Sequence, residues 1–211
     1  GLPILSEEGG NIPWEERKSW KRYWLVDPLD GTKEFISGNG DFTVNIALME
    51  NNRSLAGVVF TPVTGELYYN YPGKHYVFSR EGGGTGADEQ QGLKQERAGE
   101  PGNPMVHRPL RVVASRSHRN PSTETYIGLL KQEHPDLKIV SRGSSLKFCM
   151  MASGEADLYP RLGPTMEWDT AAGQAMAESA GCRVLRLADH RVLEYNKPDL
   201  TNPWFVVTPP C

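Results

Sequence analysis

Short apolar runs, broken by glycine and proline, dominate the first eighty residues of the chain. Residues 23–26 form an apolar run closed by Asp27-Pro28, which predicts a buried strand that stops at Pro28. Residues 42–49 alternate, with the large apolar side chains at the even-numbered positions, and predict a second strand. The first twenty residues are interrupted by glycine and proline and predict a loop. Further strands of this strand-rich, antiparallel beginning are predicted over residues 55–60, 66–70 and 75–78.

A polar stretch separates this beginning from the rest of the chain. Residues 81–104 have almost no large apolar side chain and cannot bury enough surface to order themselves, which predicts a flexible loop. Beyond it, the predicted strands alternate with predicted helices, a pattern typical of an α/β unit. The chain therefore divides into a strand-rich half (1–80), this loop, and an α/β half (105–211). In the second half, strands are predicted over residues 110–114, 137–140, 156–159, 183–187 and 204–207, and helices over residues 122–132, 144–153 and 170–180.

Composition and charge are those of an ordinary globular protein. The 211 residues are 38% hydrophobic and 23% charged, and the formal net charge is −3 at pH 7, so nucleic acid is not an expected partner. No apolar run approaches the about 18 residues of a membrane helix, and the first ten residues lack the features of a signal peptide. The three cysteines lie far apart, which disfavours disulfides and zinc–thiolate sites. We therefore expect a cytoplasmic protein, and leave peripheral contact with the inner face of a membrane open.

The sharpest chemical signal is the hexapeptide Asp27-Pro28-Leu29-Asp30-Gly31-Thr32, directly after a predicted strand. Proline and glycine constrain this turn, so its two carboxylates and the Leu29 carbonyl can converge on one point. Such hard oxygen ligands suit Mg²⁺, which is usually shared with a substrate phosphate. Gly31 and Thr32 add backbone N–H groups and a hydroxyl, which suit a phosphate oxygen. The hexapeptide alone is equally consistent with an Asx-turn that caps a helix starting near Thr32.

Two further acidic motifs lie far from this turn along the chain. Glu7 belongs to the string Ser6-Glu7-Glu8, and Asp169 is the predicted N-cap of the helix over residues 170–180. Taken singly, Glu7 is more often a solvated surface acid, and Asp169 is more often a plain N-cap. Only the combination of the three motifs indicates a shared site.

The three motifs and the strings around them resemble the inositol monophosphatase superfamily. The central motif reads Trp24-Leu25-Val26-Asp27-Pro28-Leu29-Asp30-Gly31-Thr32-Lys33-Glu34-Phe35, and the last reads Trp168-Asp169-Thr170-Ala171-Ala172-Gly173. Within the superfamily, the strings at residues 42–47, 115–118, 143–149 and 158–161 are similar to 3'(2'),5'-bisphosphate nucleotidases of the CysQ type. The resemblance extends over essentially the whole chain.

This resemblance implies an α+β or α/β fold, the layered α-β-α-β-α sandwich of the inositol monophosphatase and fructose-1,6-bisphosphatase type. It also implies two helices and an acidic loop ahead of the Glu-Glu motif. Because the chain begins six residues before Glu7, we expect these N-terminal helices to be missing. The implied activity is lithium-sensitive, Mg²⁺-dependent hydrolysis of adenosine 3',5'-bisphosphate to AMP and phosphate, with two or three ions and with the sulfated form as a related substrate.

For the metal ions, the resemblance implies five ligands at matching positions: Glu7, Asp27, Asp30, Asp169 and the carbonyl of Leu29. In this assignment Asp27 bridges two ions, Asp30 and Asp169 hold the second ion, and Glu7 also helps to activate the attacking water. Water attack without a phosphoenzyme is expected.

For the substrate, the resemblance implies contacts from both halves of the chain. Thr32 assists the attacking water, the amides of Gly31 and Thr32 hold the scissile phosphate, and Asp169 also belongs to the substrate-binding set. Without the resemblance, Lys147 and Arg161 would be interpreted as ordinary surface cations. The positions implied to contact the nucleotide and its second phosphate are His118, Ser144, Lys147 and Arg161.

Two other functions stay open at this point. An inositol monophosphatase-like sugar phosphatase would share the metal motifs, although the string Lys33-Glu34-Phe35 and residues 144–148 disfavour it. A metal- or nucleotide-binding module with little catalysis is the alternative from a different class of protein.

Overall fold

The structure is a computed structural model that describes residues 1–71, 74–80, 93–96, 108–115 and 120–210, with backbone alone for 74–80 and 93–96. Most of the predicted loop at residues 81–104 lies outside these ranges, although residues 93–96 within it form a strand. The division of the chain into two halves stays a prediction.

The first half of the chain builds a seven-stranded sheet, in which the strands lie side by side in sequence order. The first two strands are parallel, and each later strand is antiparallel to its predecessor. The strands are β1 (Ile4–Ser6), β2 (Arg22–Asp30), β3 (Thr43–Glu50), β4 (Arg53–Thr61), β5 (Glu66–Tyr71), β6 (Lys74–Arg80) and β7 (Leu93–Glu96).

The second half builds two smaller sheets. Their strands are β8 (Arg111–Ser115), β9 (Lys138–Arg142), β10 (Tyr159–Arg161), β11 (Arg183–Arg186) and β12 (Phe205–Thr208). β8 pairs in parallel with β9, while β12 lies between β10 and β11 and is antiparallel to both. A parallel bridge between Val112 and Leu158 connects the two sheets. The helices of the described chain are α1 (Trp14–Arg17), α2 (Thr32–Ser37), α3 (Pro121–Glu133), α4 (Leu146–Ala152) and α5 (Glu167–Ser179).

Helices α4 and α5 form a layer between the large sheet and the small ones. α5 packs across β2, β3 and β4, and α4 packs against α5 on one side and β8, β10 and β12 on the other. On the outer side of the small sheets, Ile127 of α3 packs with Val112. The described chain thus stacks as β-α-β-α layers around a main core that includes Leu25, Phe148 and Phe205. Within the described residues, none of the helices has the length and apolar character needed to span a membrane.

The packing of α5 decides which face of the large sheet is buried. On β3, the residues Thr43, Asn45, Ala47 and Met49 are at most 1% exposed, whereas the large apolar residues between them are half-buried. The alternation therefore predicts the strand correctly, but its bulkiest side chains mark the less buried face. Beside Met49, the buried face carries the polar residues Thr43 and Asn45 and the small residue Ala47, and α5 packs against it.

Glycine at two contact points allows α5 to approach its neighbours closely. A Cβ atom on Gly57 of β4 would lie 2.5 Å from the carbonyl oxygen of Ala172, and one on Gly173 would lie 2.4 Å from the ring of Phe148. Both distances are far below van der Waals contact, so no larger residue fits without displacing the helix. This close seating positions the first turn of α5, which carries Asp169.

Two predictions for the N-terminal part of the chain are wrong. The first twenty residues are not all loop, because Ile4–Ser6 pairs with β2 and places Leu5 in the core, and Trp14–Arg17 forms α1. β2 does not stop at Pro28 but continues to Asp30. A bulge between Asp27 and Asp30 accommodates the proline, which has no N–H to contribute to a regular ladder.

Several boundaries in the second half also differ from the prediction, by up to three residues, and the helix predicted over residues 144–153 is Leu146–Ala152, with Ser144 outside it. α5 begins at Glu167 and has Met166 as its N-cap, so Asp169 is the third helical residue. There its carboxylate accepts a hydrogen bond of 2.8 Å from the Met166 amide, the contact that an acid at this position makes in a capping box. The strand predicted over residues 156–159 lies later, as β10, and includes Arg161.

Gly57→Ala should lower the free energy of unfolding by about 1–3 kcal/mol, because the added methyl group overpacks the contact between β4 and α5. Denaturant unfolding measures this change. Gly128→Ala is the matched control, since a Cβ atom there has no neighbour within 4 Å on the exposed side of α3. The control should raise stability by about 0.5–1 kcal/mol. Equal effects at the two positions would contradict the close seating of α5.

Candidate functional site

The bulge at the end of β2 aims two carboxylates to the same side of the sheet. Asp27 pairs with Asn45 and Asp30 pairs with Thr43, so two residues of β2 oppose a single residue of β3. In a regular strand, residues three positions apart would point to opposite faces. The Leu29 amide donates a hydrogen bond of 3.0 Å to Oδ1 of Asp27, which stiffens the turn.

The same hexapeptide also starts a helix. Gly31 adopts a left-handed conformation (φ 91°) as the N-cap of α2, and Thr32 is the first helical residue. The turn-and-helix interpretation and the acidic-site interpretation of the hexapeptide are therefore compatible, because one segment has both features.

Asp169 joins the pair of acids from the first turn of α5. Carboxylate oxygens of Asp27, Asp30 and Asp169 all lie within 4.8 Å of one another, and we call these three residues the acid trio. Glu7, which follows β1 and hydrogen-bonds through its amide to the Val26 carbonyl (3.2 Å), is exposed and lines the same cavity. Three of the four acids implied as ligands are thus gathered tightly, and Glu7 lies outside that group.

Burial and mutual repulsion raise the pKa values of two members of the trio. Burial, and then the charge of Asp30, raises the pKa of Asp27 to about 8. Burial and the charge of Asp30 likewise raise the pKa of Asp169 to about 7, although the hydrogen bond from the Met166 amide acts to lower it. A divalent cation among the trio would favour the ionised carboxylates. This set of close, hard oxygen donors fits the metal ion that the sequence implies.

The carboxylate of Asp30 is held in one orientation. Its Oδ2 accepts hydrogen bonds from the Ser145 amide (2.8 Å), from the Asn45 side-chain amide (3.1 Å) and from the Ser144 hydroxyl. In the described part of the chain, the hydrogen-bond donors to this side chain reach Oδ2 and none reaches Oδ1. Oδ1 is therefore the oxygen that stays available to a cation.

Lys147, in the first turn of α4, brings a positive charge into the same cavity. Its side chain is buried, its Nζ donates to the Ser144 carbonyl at 2.5 Å, and it lies 5.7 Å from the ring centre of Tyr159. Burial, and then the positive charge of Arg161, lowers the pKa of Lys147 to about 8. An anion beside this lysine would restore its charged form.

Arg161 provides the second cation, from β10. Its Nη2 donates to the Pro164 carbonyl at 2.9 Å, whereas its Nε is buried and meets no hydrogen-bond partner among the described residues. A buried N–H without an acceptor costs about 1–3 kcal/mol. Two neighbouring cations, one of them with an unsatisfied donor, fit an anionic ligand.

A cavity of about 460 Å³ joins the acid trio and the two cations. Its volume is in the range of small-molecule sites. Of the remaining predicted residues, Glu7, Leu29, Gly31, Thr32 and Ser144 line it too. The Ser144 hydroxyl is engaged with Asp30, and its backbone has a positive φ of 49°. His118 lies outside the residues that the structure describes.

Part of the cavity wall is formed by residues that no sequence motif indicates. Ser115, Asn120, Tyr159, Gly163 and Thr165 line it as well. The dipeptides at residues 120–121 and 163–164, Asn-Pro and Gly-Pro, are signals for turns. Nothing in their local sequence distinguishes them from ordinary loops.

Comparison with known sequences identifies relatives over nearly the whole chain. A sequence model of the inositol monophosphatase family matches residues 1–207. The 3'(2'),5'-bisphosphate nucleotidase CysQ of Salmonella typhimurium is 44% identical over 208 residues, which cover 98% of this chain and 76% of that protein. CysQ of Escherichia coli K12 is 45% identical over 184 residues, which cover 87% of this chain and 66% of that protein. The chain thus spans two thirds to three quarters of the length of these relatives.

Comparison with solved structures gives the same picture for the fold. The crystal structure of CysQ from Bacteroides thetaiotaomicron, a bacterial member of the inositol monophosphatase family, superposes with a TM-score of 0.87 at 46% identity, covering 99% of this chain and 77% of that one. Inositol monophosphatase II from Staphylococcus aureus superposes with a TM-score of 0.69 at 19% identity, covering 98% and 69%, a similarity of fold alone. The fold class predicted from the sequence motifs is confirmed.

Removal of one charge from the acid trio should stabilise the metal-free protein at alkaline pH. A carboxyl group with a raised folded-state pKa contributes most to stability below its unfolded pKa of about 3.9, and that contribution is lost as the pH rises to about 8. With chelator present, the melting temperature of the parent protein should therefore fall from about pH 5 to about pH 8. At about pH 8, Asp27→Asn should melt about 3 °C higher than the parent, which corresponds to a gain of about 1 kcal/mol in the free energy of unfolding.

Scanning calorimetry across this pH range makes the measurement. Asp136→Asn, at an exposed position, is the control and should follow the parent curve. The raised pKa of Asp27 is contradicted if the curve of Asp27→Asn runs parallel to that of the parent.

Proposed function

Given that the chain belongs to the inositol monophosphatase family, we propose that it is a 3'(2'),5'-bisphosphate nucleotidase, a Mg²⁺-dependent phosphomonoesterase that converts adenosine 3',5'-bisphosphate to AMP and phosphate. The observation that carries the proposal is a single cavity lined by both the acid trio and two cations. The names of relatives at 44–47% identity support a nucleotide substrate.

In this proposal the metal ligands are the trio, together with Glu7 and the Leu29 carbonyl, and two or three Mg²⁺ ions bind. The close carboxylate oxygens and the raised pKa values of Asp27 and Asp169 support a cation at the trio. When bound, divalent cations neutralise charge on the phosphate and lower the pKa of water. The orientation of Asp30 by its hydrogen bonds keeps one oxygen directed to that cation.

Glu7 and Thr32 then act on the attacking water. Both line the cavity beside the trio and both are exposed to it, so the carboxylate accepts the proton of the water and the hydroxyl orients its oxygen. The new P–O bond forms as the bond to the 3' oxygen breaks, and that oxygen takes a proton from solvent. Configuration at phosphorus inverts, and no phosphoenzyme forms. The Gly31 and Thr32 amides at the start of α2 hold the scissile phosphate.

The second phosphate of the substrate is bound by Lys147 and Arg161. Support comes from the buried Arg161 Nε, which has no acceptor in the described part of the chain, and from the lowered pKa of Lys147. A phosphate beside them supplies the missing acceptor and the missing negative charge. Ser144 and His118 complete the nucleotide-binding set of the proposal. A sugar monophosphate would supply no second phosphate as an anionic partner for these cations, which argues against an inositol phosphatase.

The substrate prediction is that, with Mg²⁺, kcat/KM is higher for adenosine 3',5'-bisphosphate than for inositol 1-phosphate. We expect a difference of about tenfold or more, because a charge-assisted contact is worth about 1.5–3 kcal/mol. Phosphate release measures both rates, with chelator as the control that should abolish them. A preference for inositol 1-phosphate would favour the sugar phosphatase, and metal binding without turnover would favour the binding module.

The specificity prediction concerns the two cations. Arg161→Ala and Lys147→Ala should each reduce kcat/KM for the bisphosphate by about 10–100-fold, through the loss of a charge-assisted contact of about 1.5–3 kcal/mol. Turnover of AMP or another monophosphate should fall much less. Lys131→Ala removes a positive charge at an exposed position of α3 and should change neither rate. Equal losses for both substrates in the Arg161 and Lys147 variants would remove the assignment of the second phosphate.

A further inference from the structure

Asn45 is a polar side chain in the most buried part of the large sheet. It lies on β3 directly opposite Asp27 and is 1% exposed, on the face that α5 covers. A buried side-chain amide is retained only where its donors and acceptor are satisfied. Its partners therefore indicate why an asparagine stands at this position in place of an apolar residue.

Each polar atom of Asn45 has a partner within the site. Nδ2 donates one hydrogen to Oδ2 of Asp30 at 3.1 Å and the other to Oγ of Ser145 at 2.9 Å. Oδ1 accepts from the Thr43 hydroxyl at 3.0 Å. This orientation of the amide follows from the geometry, since Oδ2 of Asp30 also accepts from the Ser145 backbone amide and is therefore an acceptor.

The contact with Ser145 extends the connection to the third acid of the trio. The Ser145 hydroxyl donates to the backbone carbonyl of Asp169 at 2.8 Å. Asn45 is therefore the central member of a hydrogen-bonded chain from the Asp30 carboxylate to the first turn of α5. This chain joins two acids that are 139 positions apart in the sequence and belong to different layers of the fold.

We propose that Asn45 is a positioning residue for the metal site: it sets the orientation of Asp30 and the separation between Asp30 and Asp169, and thereby the affinity for a divalent cation. The inference rests on the proposed function only in taking the acid trio as the metal site. Outer hydrogen-bond partners of metal ligands commonly contribute about 10–100-fold to metal affinity. Ser144 and the Ser145 amide also bind Oδ2 of Asp30, and the Ser145 hydroxyl, which contacts both Asn45 and the Asp169 carbonyl, completes the connection to α5.

Asn70 provides a matched control on the same face of the same sheet. It lies on β5, is 6% exposed, and its Oδ1 accepts a hydrogen bond of 2.7 Å from the Gly57 amide. Truncation to alanine removes the same atoms at both positions, but of the two side chains Asn45 alone has a hydrogen bond to an acid of the trio in the described part of the chain. A merely structural role would make the two variants behave alike.

The experiment titrates the full chain with Mn²⁺, followed by the electron paramagnetic resonance of the free ion, and with Mg²⁺ in a calorimeter. Asn45→Ala should raise the dissociation constant of the cation at the trio about 10–100-fold, and Asn70→Ala should leave it within about twofold of the parent. Melting temperatures in chelator should fall in both variants. Asp30→Asn identifies the trio as the site by removing the cation altogether.

Three results would overturn the inference, and one of them would overturn the metal site as well. An unchanged dissociation constant in Asn45→Ala, with binding lost in Asp30→Asn, overturns the role of Asn45 and leaves the metal site intact. An equal loss of affinity in Asn70→Ala also overturns it. Absence of any cation binding that depends on Asp30 in the parent overturns the metal site and the inference together.

A second variant keeps the test decisive if Asn45→Ala does not fold. Ser145→Ala breaks the same hydrogen-bonded chain at its next member, while the Ser145 amide bond to Asp30 is retained. It should raise the dissociation constant of the cation by at least about threefold, and parent-like affinity in this variant would overturn the inference.

Discussion

Three carboxylates held within 4.8 Å of one another are the constraint on which the rest of this structure depends. Like charges at such a distance, away from water, oppose folding, and the raised pKa values of Asp27 and Asp169 express that opposition. A flexible chain would relieve the repulsion by turning the acids outward. Each acid is therefore carried by rigid local structure, the first two by a proline-containing bulge and the third by the first turn of a helix.

Asp169 illustrates how the competing effects balance. A carboxylate in the first turn of a helix gains about 0.3–1 kcal/mol from the helix dipole. One pKa unit corresponds to about 1.4 kcal/mol, so a rise in pKa from 3.8 to about 7 exceeds that gain. Burial and the neighbouring Asp30 therefore outweigh the dipole and the hydrogen bond from Met166. The packing of α5 stabilises the fold against this cost, because Gly57 and Gly173 permit close contacts that larger residues would prevent.

The sequence predicts the chemistry of the site better than its construction. Asp27, Asp30 and Asp169 stand in motifs specific enough to be singled out, and they are found together. The strand that carries Asn45 is also predicted, but the pattern of large apolar residues marks its less buried face. The buried positions 43, 45 and 47 are polar or small because α5 and the Asp30 carboxylate lie against them, and both are tertiary contacts that no local pattern encodes. The bulge at Pro28 and the start of α5 at Glu167 depend on tertiary structure in the same way.

Opposite charges share one cavity here without neutralising each other. Asp30 favours the charged form of Lys147, yet burial and Arg161 outweigh it, and the pKa of the lysine is still lowered to about 8. Lys147 bonds to the Ser144 carbonyl and Arg161 to the Pro164 carbonyl, while the acids bond to amides and hydroxyls. Each set of charges is thus held apart from the other by backbone and side-chain hydrogen bonds. The acids would repel a phosphate and the cations would repel a metal ion, so the two sets complement a metal ion and an anionic ligand bound together. In the proposed reaction, this arrangement favours a substrate with two phosphates, one beside the metal ions that the acid trio would hold and the other beside Lys147 and Arg161.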